Sequence, residues 1–245
     1  FKNTKNFIMK KNNKSIRIQF AETILELSKK NKKIVVLVGD ISHGIFSNFR
    51  KKYPSRYYNV GINETAMVNL SSGLSALDFI PVVHTITPFL IERTYEQIKL
   101  NFALQEKNIN LVSIGGSFDY SKLGCTHHCY NDVSILSHFK DAKIFIPGSP
   151  DEFNYLFSKN YKKSGIKYFK ILSNTENFTY KRKKFRNGST KVCSGRDITI
   201  VTLPSMFEKV KLAKNTLNNK GIYAEIIYVN TLKPFDKKII YKSLN

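Results

Sequence analysis

The chain has 245 residues, 42% of them hydrophobic, and carries a formal net charge of +22. Such a chain can bury a sizeable core, in one large or two smaller domains. The charge invites a nucleic-acid reading, but the basic residues are 33 Lys and only 7 Arg, scattered along the sequence. The one dense run, "KRKKFRNGSTK" (181–191), lacks a series of interleaved stacking aromatics, so a solvated lysine surface is expected and nucleic acid is not. No apolar stretch reaches the ~18–20 residues of a membrane span, and no signal peptide is evident. Three cysteines are too few for a disulfide framework. The composition therefore predicts a cytoplasmic protein with free thiols and no membrane partner.

Helical and strand-like segments alternate along the chain. "SIRIQFAETILELSKKN" has apolar residues at helical spacing, and "KIVVLVGD" is a short apolar run of the kind buried on both faces of a sheet. "YYNVG" and "FIPVVHT" read as further strands, separated by a buried helix that begins near Glu64. "ERTYEQIKLNFALQ" predicts a helix, "INLVSIGG" a strand, "NDVSILSHF" a short helix and "AKIFIPG" a strand. "PDEFNYLFSKNY", with Asp151 and Glu152 in its first turn, predicts another helix, and "IKYFKILS" another strand. Such alternation implies an α/β fold with a doubly wound, mainly parallel sheet over residues 1–177. Residues 178–195 are basic and aperiodic, as in a linker. Residues 196–245 then give "DITIVTLP", "SMFEKVKLAKNTLNNKG" and "YAEIIYVN", the strand–helix–strand start of a second α/β domain. One such unit cannot close a core alone, so this domain is expected to be incomplete at Asn245.

In doubly wound sheets ligands sit at the carboxyl ends of the strands. Four loops expected there are chemically loaded: "VGDISHG" (38–44), "GINE" (61–64), "HTITPFLIERTY" (84–95) and "GGSFDYSKLGCTHHC" (115–129). Glu64 stands at a helix N-terminus, where free N–H groups and the dipole favour an anion; by position alone it is an ordinary first-turn glutamate. "CTHHC" offers Cys125, His127, His128 and Cys129 to a metal, but four ligands in five residues cannot readily wrap one tetrahedral ion.

The blocks "GINETAM…GLSA…P", "PFLIERTYEQI", "G-TH" and "D…L", in that order and spacing, resemble the pyrimidine-binding domain of transketolase-like enzymes, which use thiamine diphosphate. The tail from "GRDITIVTLP" to "NTLKPFD" is similar to the start of that family's C-terminal domain. The resemblance implies that Glu64 hydrogen-bonds the cofactor's aminopyrimidine ring and helps it move a proton. It implies that Ile62, Phe89 and Tyr95 help bind the cofactor, the two aromatics around the ring, and that His127 is catalytic, close to the reacting carbon.

Some positions depart from the family pattern. Leu123 replaces an Asp that contacts a substrate hydroxyl, Gly115 a substrate-contacting His, and Asn174 a phosphate-binding Arg, for which Lys170 is a candidate substitute. Glu92 stands where transketolases carry a further aromatic, while Arg93 and Tyr95 are similar to the R-A-Y of deoxyxylulose-phosphate synthases. The family's Gly-Asp-Gly motif with its trailing Asn, which holds Mg²⁺ against the diphosphate, is missing; "VGDIS" has only Gly39-Asp40. The resemblance thus implies a split enzyme, in which a diphosphate-binding partner chain supplies Mg²⁺ and two copies of each chain assemble. A 2-oxo-acid dehydrogenase β-subunit and a non-catalytic assembly protein are the alternatives.

Overall fold

The computed structural model describes residues 14–172 and 188–244. Strand β1 (Ile34–Val38) shows how the sheet is built, because all five of its residues are buried. Val36 and Val38 face one hydrophobic layer, whereas Val35 and Leu37 face the other, as the two-residue side-chain period of a strand requires. The remaining strands of the main sheet are β2 (Tyr57–Asn59), β3 (Ile80–Ile86), β4 (Ile109–Ile114), β5 (Lys143–Phe145), β6 (Ile166–Ile171) and β10 (Thr231–Lys233). Their order is β10-β5-β6-β4-β3-β1-β2, and every pairing is parallel except that of β10 with β5. The doubly wound parallel sheet is therefore observed.

Helix α1 (Ile16–Lys30) lies on the first layer with α2 (Ser47–Lys52) and α7 (Pro150–Asn160), burying Phe20, Phe49, Phe153 and Phe157. Ser15 caps α1 and Ser149 caps α7, each accepting from a backbone N–H three residues on. The second layer holds α3 (Glu64–Ala76), α4 (Thr87–Ile91), α5 (Tyr95–Ile98) and α6 (Asp132–Ser137). Helix α5 continues into a π-helical turn, Lys99–Ala103. The helix expected over "ERTYEQIKLNFALQ" therefore begins only at Tyr95, after a turn at 92–94, and α4, opened by Pro88, is a separate helix before it. Helix α3 was expected to be buried, but only one face is: Met67, Val68, Ser71 and Ser75 are covered, while Leu70, and Leu77 at the C-cap, are exposed.

The second sheet corrects the linker boundaries. Within 178–195, residues 178–187 lie outside the described residues, and Ser189–Cys193 forms a strand, β7. It pairs antiparallel with β9 (Ala224–Val229), which pairs parallel with β8 (Ile198–Thr202). Helix α8 (Phe207–Asn219) covers this sheet through Phe207, which meets Tyr228 edge to face at 5.3 Å. A last helix, α9, spans Lys237–Leu244. The consecutive polar residues Ser189, Thr190 and Lys191 hid β7, whose partner lies over thirty residues away; pairing, not propensity, makes it a strand. The two sheets are tied through Glu152 of α7. Its carboxylate accepts from Gly148 N at 2.7 Å, Tyr228 Oη at 2.8 Å and Asn230 Nδ2 at 2.5 Å.

Candidate active site

The order of the main sheet reverses at β1: β2 follows on one side of it and β3 lies on the other. Such a switch point opens a crevice outside the carboxyl ends of the two central strands. Glu64 is seated there. Asn63 caps α3 by accepting from Ala66 N at 3.2 Å, which fixes Glu64 as the first helical residue. Its side chain is 1% exposed. A methyl group on Gly39, just past β1, would meet Thr85 at 3.1 Å and Glu64 Oε1 at 3.4 Å; glycine therefore lets the carboxylate settle between the ends of β1 and β3. The other oxygen, Oε2, accepts from Arg93 Nη1 at 2.6 Å. A buried carboxylate without such a donor would be costly.

From Arg93 the site extends to two rings. The guanidinium lies 4.4 Å from the centre of the Phe89 ring, and Phe89 meets His127 edge to face at 5.2 Å. Phe89 and His127 are both half-buried. Thr126 Oγ1 lies 3.0 Å from His127 Nδ1, which orients the ring. Glu64, Phe89 and His127, expected together from the sequence, thus form one continuous set bridged by Arg93.

Two other expected residues are placed elsewhere. Tyr95 stacks on Phe139 at 5.5 Å and packs on the second hydrophobic layer; none of its described contacts joins it to Glu64, Phe89 or His127. Ile62 is 76% exposed and lines no part of this set. Its branched side chain precedes the cap at Asn63, before the helix turns inward.

The loop that carries His127 is held from below. Ser117 and Cys129 exchange backbone hydrogen bonds, Ser117 N to Cys129 O at 2.6 Å and Cys129 N to Ser117 O at 3.0 Å. Lys170 Nζ reaches Ser117 Oγ at 3.2 Å and pairs with Asp132 at 2.9 Å, both side chains being buried. Tyr168 Oη donates to Asp132 Oδ2 at 2.6 Å, so Ser113 donates to Tyr168 at 2.8 Å. Lys170 is therefore committed to the interior, which corrects the expectation that it replaces a phosphate-binding arginine. Gly115 has φ +75°, and a Cβ there would strike the Tyr120 ring at 2.2 Å, so no histidine fits that position. Leu123 is exposed, and Asn174 lies outside the described residues. Burial pushes the Cys129 thiol up to about 12, with Asp132 adding to the rise; it is unreactive at neutral pH.

Sequence reasoning missed a second polar group, in "HTITPFLIERTY". His84 is in the middle of the core, not in the loop, its ring edge-on to Phe20 at 5.1 Å. Its Nδ1 is 2.7 Å from Val112 O, an obligate acceptor, so Nδ1 carries the proton and Nε2 accepts from Ser42 Oγ at 2.8 Å. Ser42 accepts in turn from Arg17 Nη2 at 2.7 Å. A lone histidine inside "IPVVHTI" was the available signal.

The residues present fit the pyrimidine half of a thiamine-type cofactor: a buried carboxylate, an aromatic ring and a histidine are brought together, with the partly exposed Arg93 side chain between acid and ring. Among the described residues there is no group of three or more His, Cys, Asp or Glu placed to hold a metal ion.

Fold and site together define a doubly wound α/β domain with a buried acid, an aromatic ring and a histidine gathered at its switch point. The chain belongs to the transketolase family: the family described as transketolase, pyrimidine binding domain, matches residues 13–177, and transketolase, C-terminal domain, matches residues 188–245. It is 30% identical over 218 residues to the 33.6 kDa protein of the fasciation locus of Rhodococcoides fascians, covering 89% of this chain and 67% of that one. It is 27% identical over 231 residues to the 6-deoxy-6-sulfo-D-fructose transketolase subunit SqwH of Clostridium sp. (strain MSTE9), covering 93% and 72%. Its fold matches that of a split-gene transketolase solved as an inactive β4 tetramer, with a TM-score of 0.81 at 24% identity, over 94% of this chain and 75% of that one.

Proposed function

We propose that the chain is the pyrimidine-binding subunit of a thiamine-diphosphate-dependent transketolase-type enzyme in the cytoplasm. It transfers a two-carbon ketol unit between sugar-type substrates once joined to a diphosphate-binding partner chain. The supporting observation is the buried Glu64 carboxylate beside the Phe89–His127 pair at the switch point. Glu64 would hold the aminopyrimidine edge and move a proton at its ring nitrogen, and Phe89 would cover the ring face and exclude water. His127 would steady or move a proton at the substrate oxygen. The bound cofactor supplies the electron sink for carbon–carbon cleavage and ligation. Mg²⁺ and the diphosphate belong, in this reading, to the partner, with two copies of each chain sharing sites at their boundaries. The relative that is a 6-deoxy-6-sulfo-D-fructose transketolase subunit supports sugar chemistry and a multi-chain enzyme.

Reconstitution tests the proposal. The chain with its partner, thiamine diphosphate, Mg²⁺ and a ketose donor should turn over, and Glu64→Ala should lose at least ~10²-fold in kcat, the lower end of acid–base effects. Near-normal turnover in that variant refutes the role given to Glu64. Turnover of a 2-oxo acid instead of a ketose reassigns the reaction.

A further inference from the structure

Arg93 makes, with one guanidinium, the two contacts an aminopyrimidine needs here. Its Nη1 donates to Glu64 Oε2 at 2.6 Å, and its flat head covers the Phe89 ring at 4.4 Å. A guanidinium and a protonated aminopyrimidine are alike in this respect, being planar cations with N–H donors in the plane and faces that stack on aromatics. The two cannot hold the same oxygen and the same ring face together. We propose that Arg93 is a displaceable stand-in for the heterocycle, closing the slot over Glu64 until a ring enters and drives the side chain out. This rests on the subunit reading above.

The local structure suits a side chain that leaves. Glu64 is fixed by the cap of α3, and Phe89 by α4, whereas Arg93 lies in the turn between α4 and α5 and its side chain is 43% exposed. It can retreat into water through its own rotamers with no change of backbone. Glu64 itself is buried at 1% exposure, with Oε1 on the Gly39 side, 3.4 Å from where a Cβ on that glycine would stand. Oε2 alone is left to the slot, and one donor must replace the other there. Replacement also keeps the buried carboxylate paired at every stage, which an empty slot would not. A protein that must open before it binds shows an affinity reduced by the fraction open.

The test separates this role from a structural one. Arg93→Gln removes the competitor, and Arg93→Lys keeps a charge opposite Glu64 while losing the planar face. Both are titrated as the full chain, with 4-amino-2,5-dimethylpyrimidine as probe followed by NMR, and melted without it. We expect Arg93→Gln to bind the probe about tenfold more tightly than the wild type while melting at a lower temperature. Arg93→Lys should fall between them. In the wild type, the Arg93 guanidinium signal should move toward its solvent position as probe is added. Unchanged or weaker binding in both variants overturns displacement and leaves the subunit reading to stand on reconstituted turnover. Probe uptake by no form of the chain overturns displacement as well; only if reconstitution is also inactive does the subunit reading fall with it.

Discussion

His84 shows what a single buried side chain costs and when. Enclosure among Phe20 and Phe46 pushes its pKa down to about 4, because the charged form is the one that burial penalises. The unfolded chain takes up that proton near the ordinary value of 6.5, whereas the folded chain does not until about 4. Between those values the unfolded state binds more protons, so stability falls as pH falls through the window. The full difference is roughly 3 kcal/mol. Urea unfolding at pH 7.5 and pH 5 should therefore differ, and His84→Gln should flatten that dependence. Equal slopes in the two proteins would mean that His84 is not the titrating group. The same residue bears on function only by placement: it joins Ser42 to Val112 and thus anchors the loop after β1 whose Gly39 accommodates Glu64.

Among the elements, the loop 115–129 depends most on what lies beneath it. It contains no long helix or strand of its own; its ends are held by the Ser117–Cys129 pairing and by Lys170. Lys170 in turn has a buried anionic partner, Asp132, at the start of α6. Lys170→Met leaves that carboxylate uncompensated and should cost about 3–5 kcal/mol, whereas the double change Lys170→Met with Asp132→Leu should cost much less. Chemical denaturation of the three proteins decides the matter, and equal losses in single and double variants would dismiss the pair. The pattern also explains what could be read beforehand. Strands such as "IVVLV" and "INLVSI" were legible because burial on both faces makes a short run wholly or mostly apolar. β7 and the three-residue β10 were not, because distant partners make them strands. At the site, Glu64, Phe89 and His127 were legible as sequence blocks. The inward turn of Lys170, the stacking of Tyr95 on Phe139 and the pairing of Arg93 with Glu64 depend on side-chain directions that no local pattern encodes.

At the scale of the whole molecule, the arrangement of charge matters more than its sum. Residues 57–92 contain no Lys or Arg, although the chain has 40. That span holds β2, Glu64, α3, β3 and α4. Its outer side is a groove of about 600 Å³ lined by Tyr58, Ala66, Leu70, Gly73, Leu74 and Leu77. Two copies of a chain at +22 repel each other, so a segment that adds no positive charge of its own is the one through which they would meet at least electrostatic cost. In the assembly proposed above, this groove would be the contact between two copies of this chain. Sedimentation of the chain should show a dimer, and Leu77→Lys should shift it to monomer, because a lone charge in a closed apolar contact costs several kcal/mol. Leu244→Lys, which alters an equally exposed leucine on α9, serves as the control and should leave the dimer intact. Raising salt should strengthen the wild-type dimer by screening the like charges. A Leu77→Lys chain that sediments like the wild type would place the copy-to-copy contact on another face.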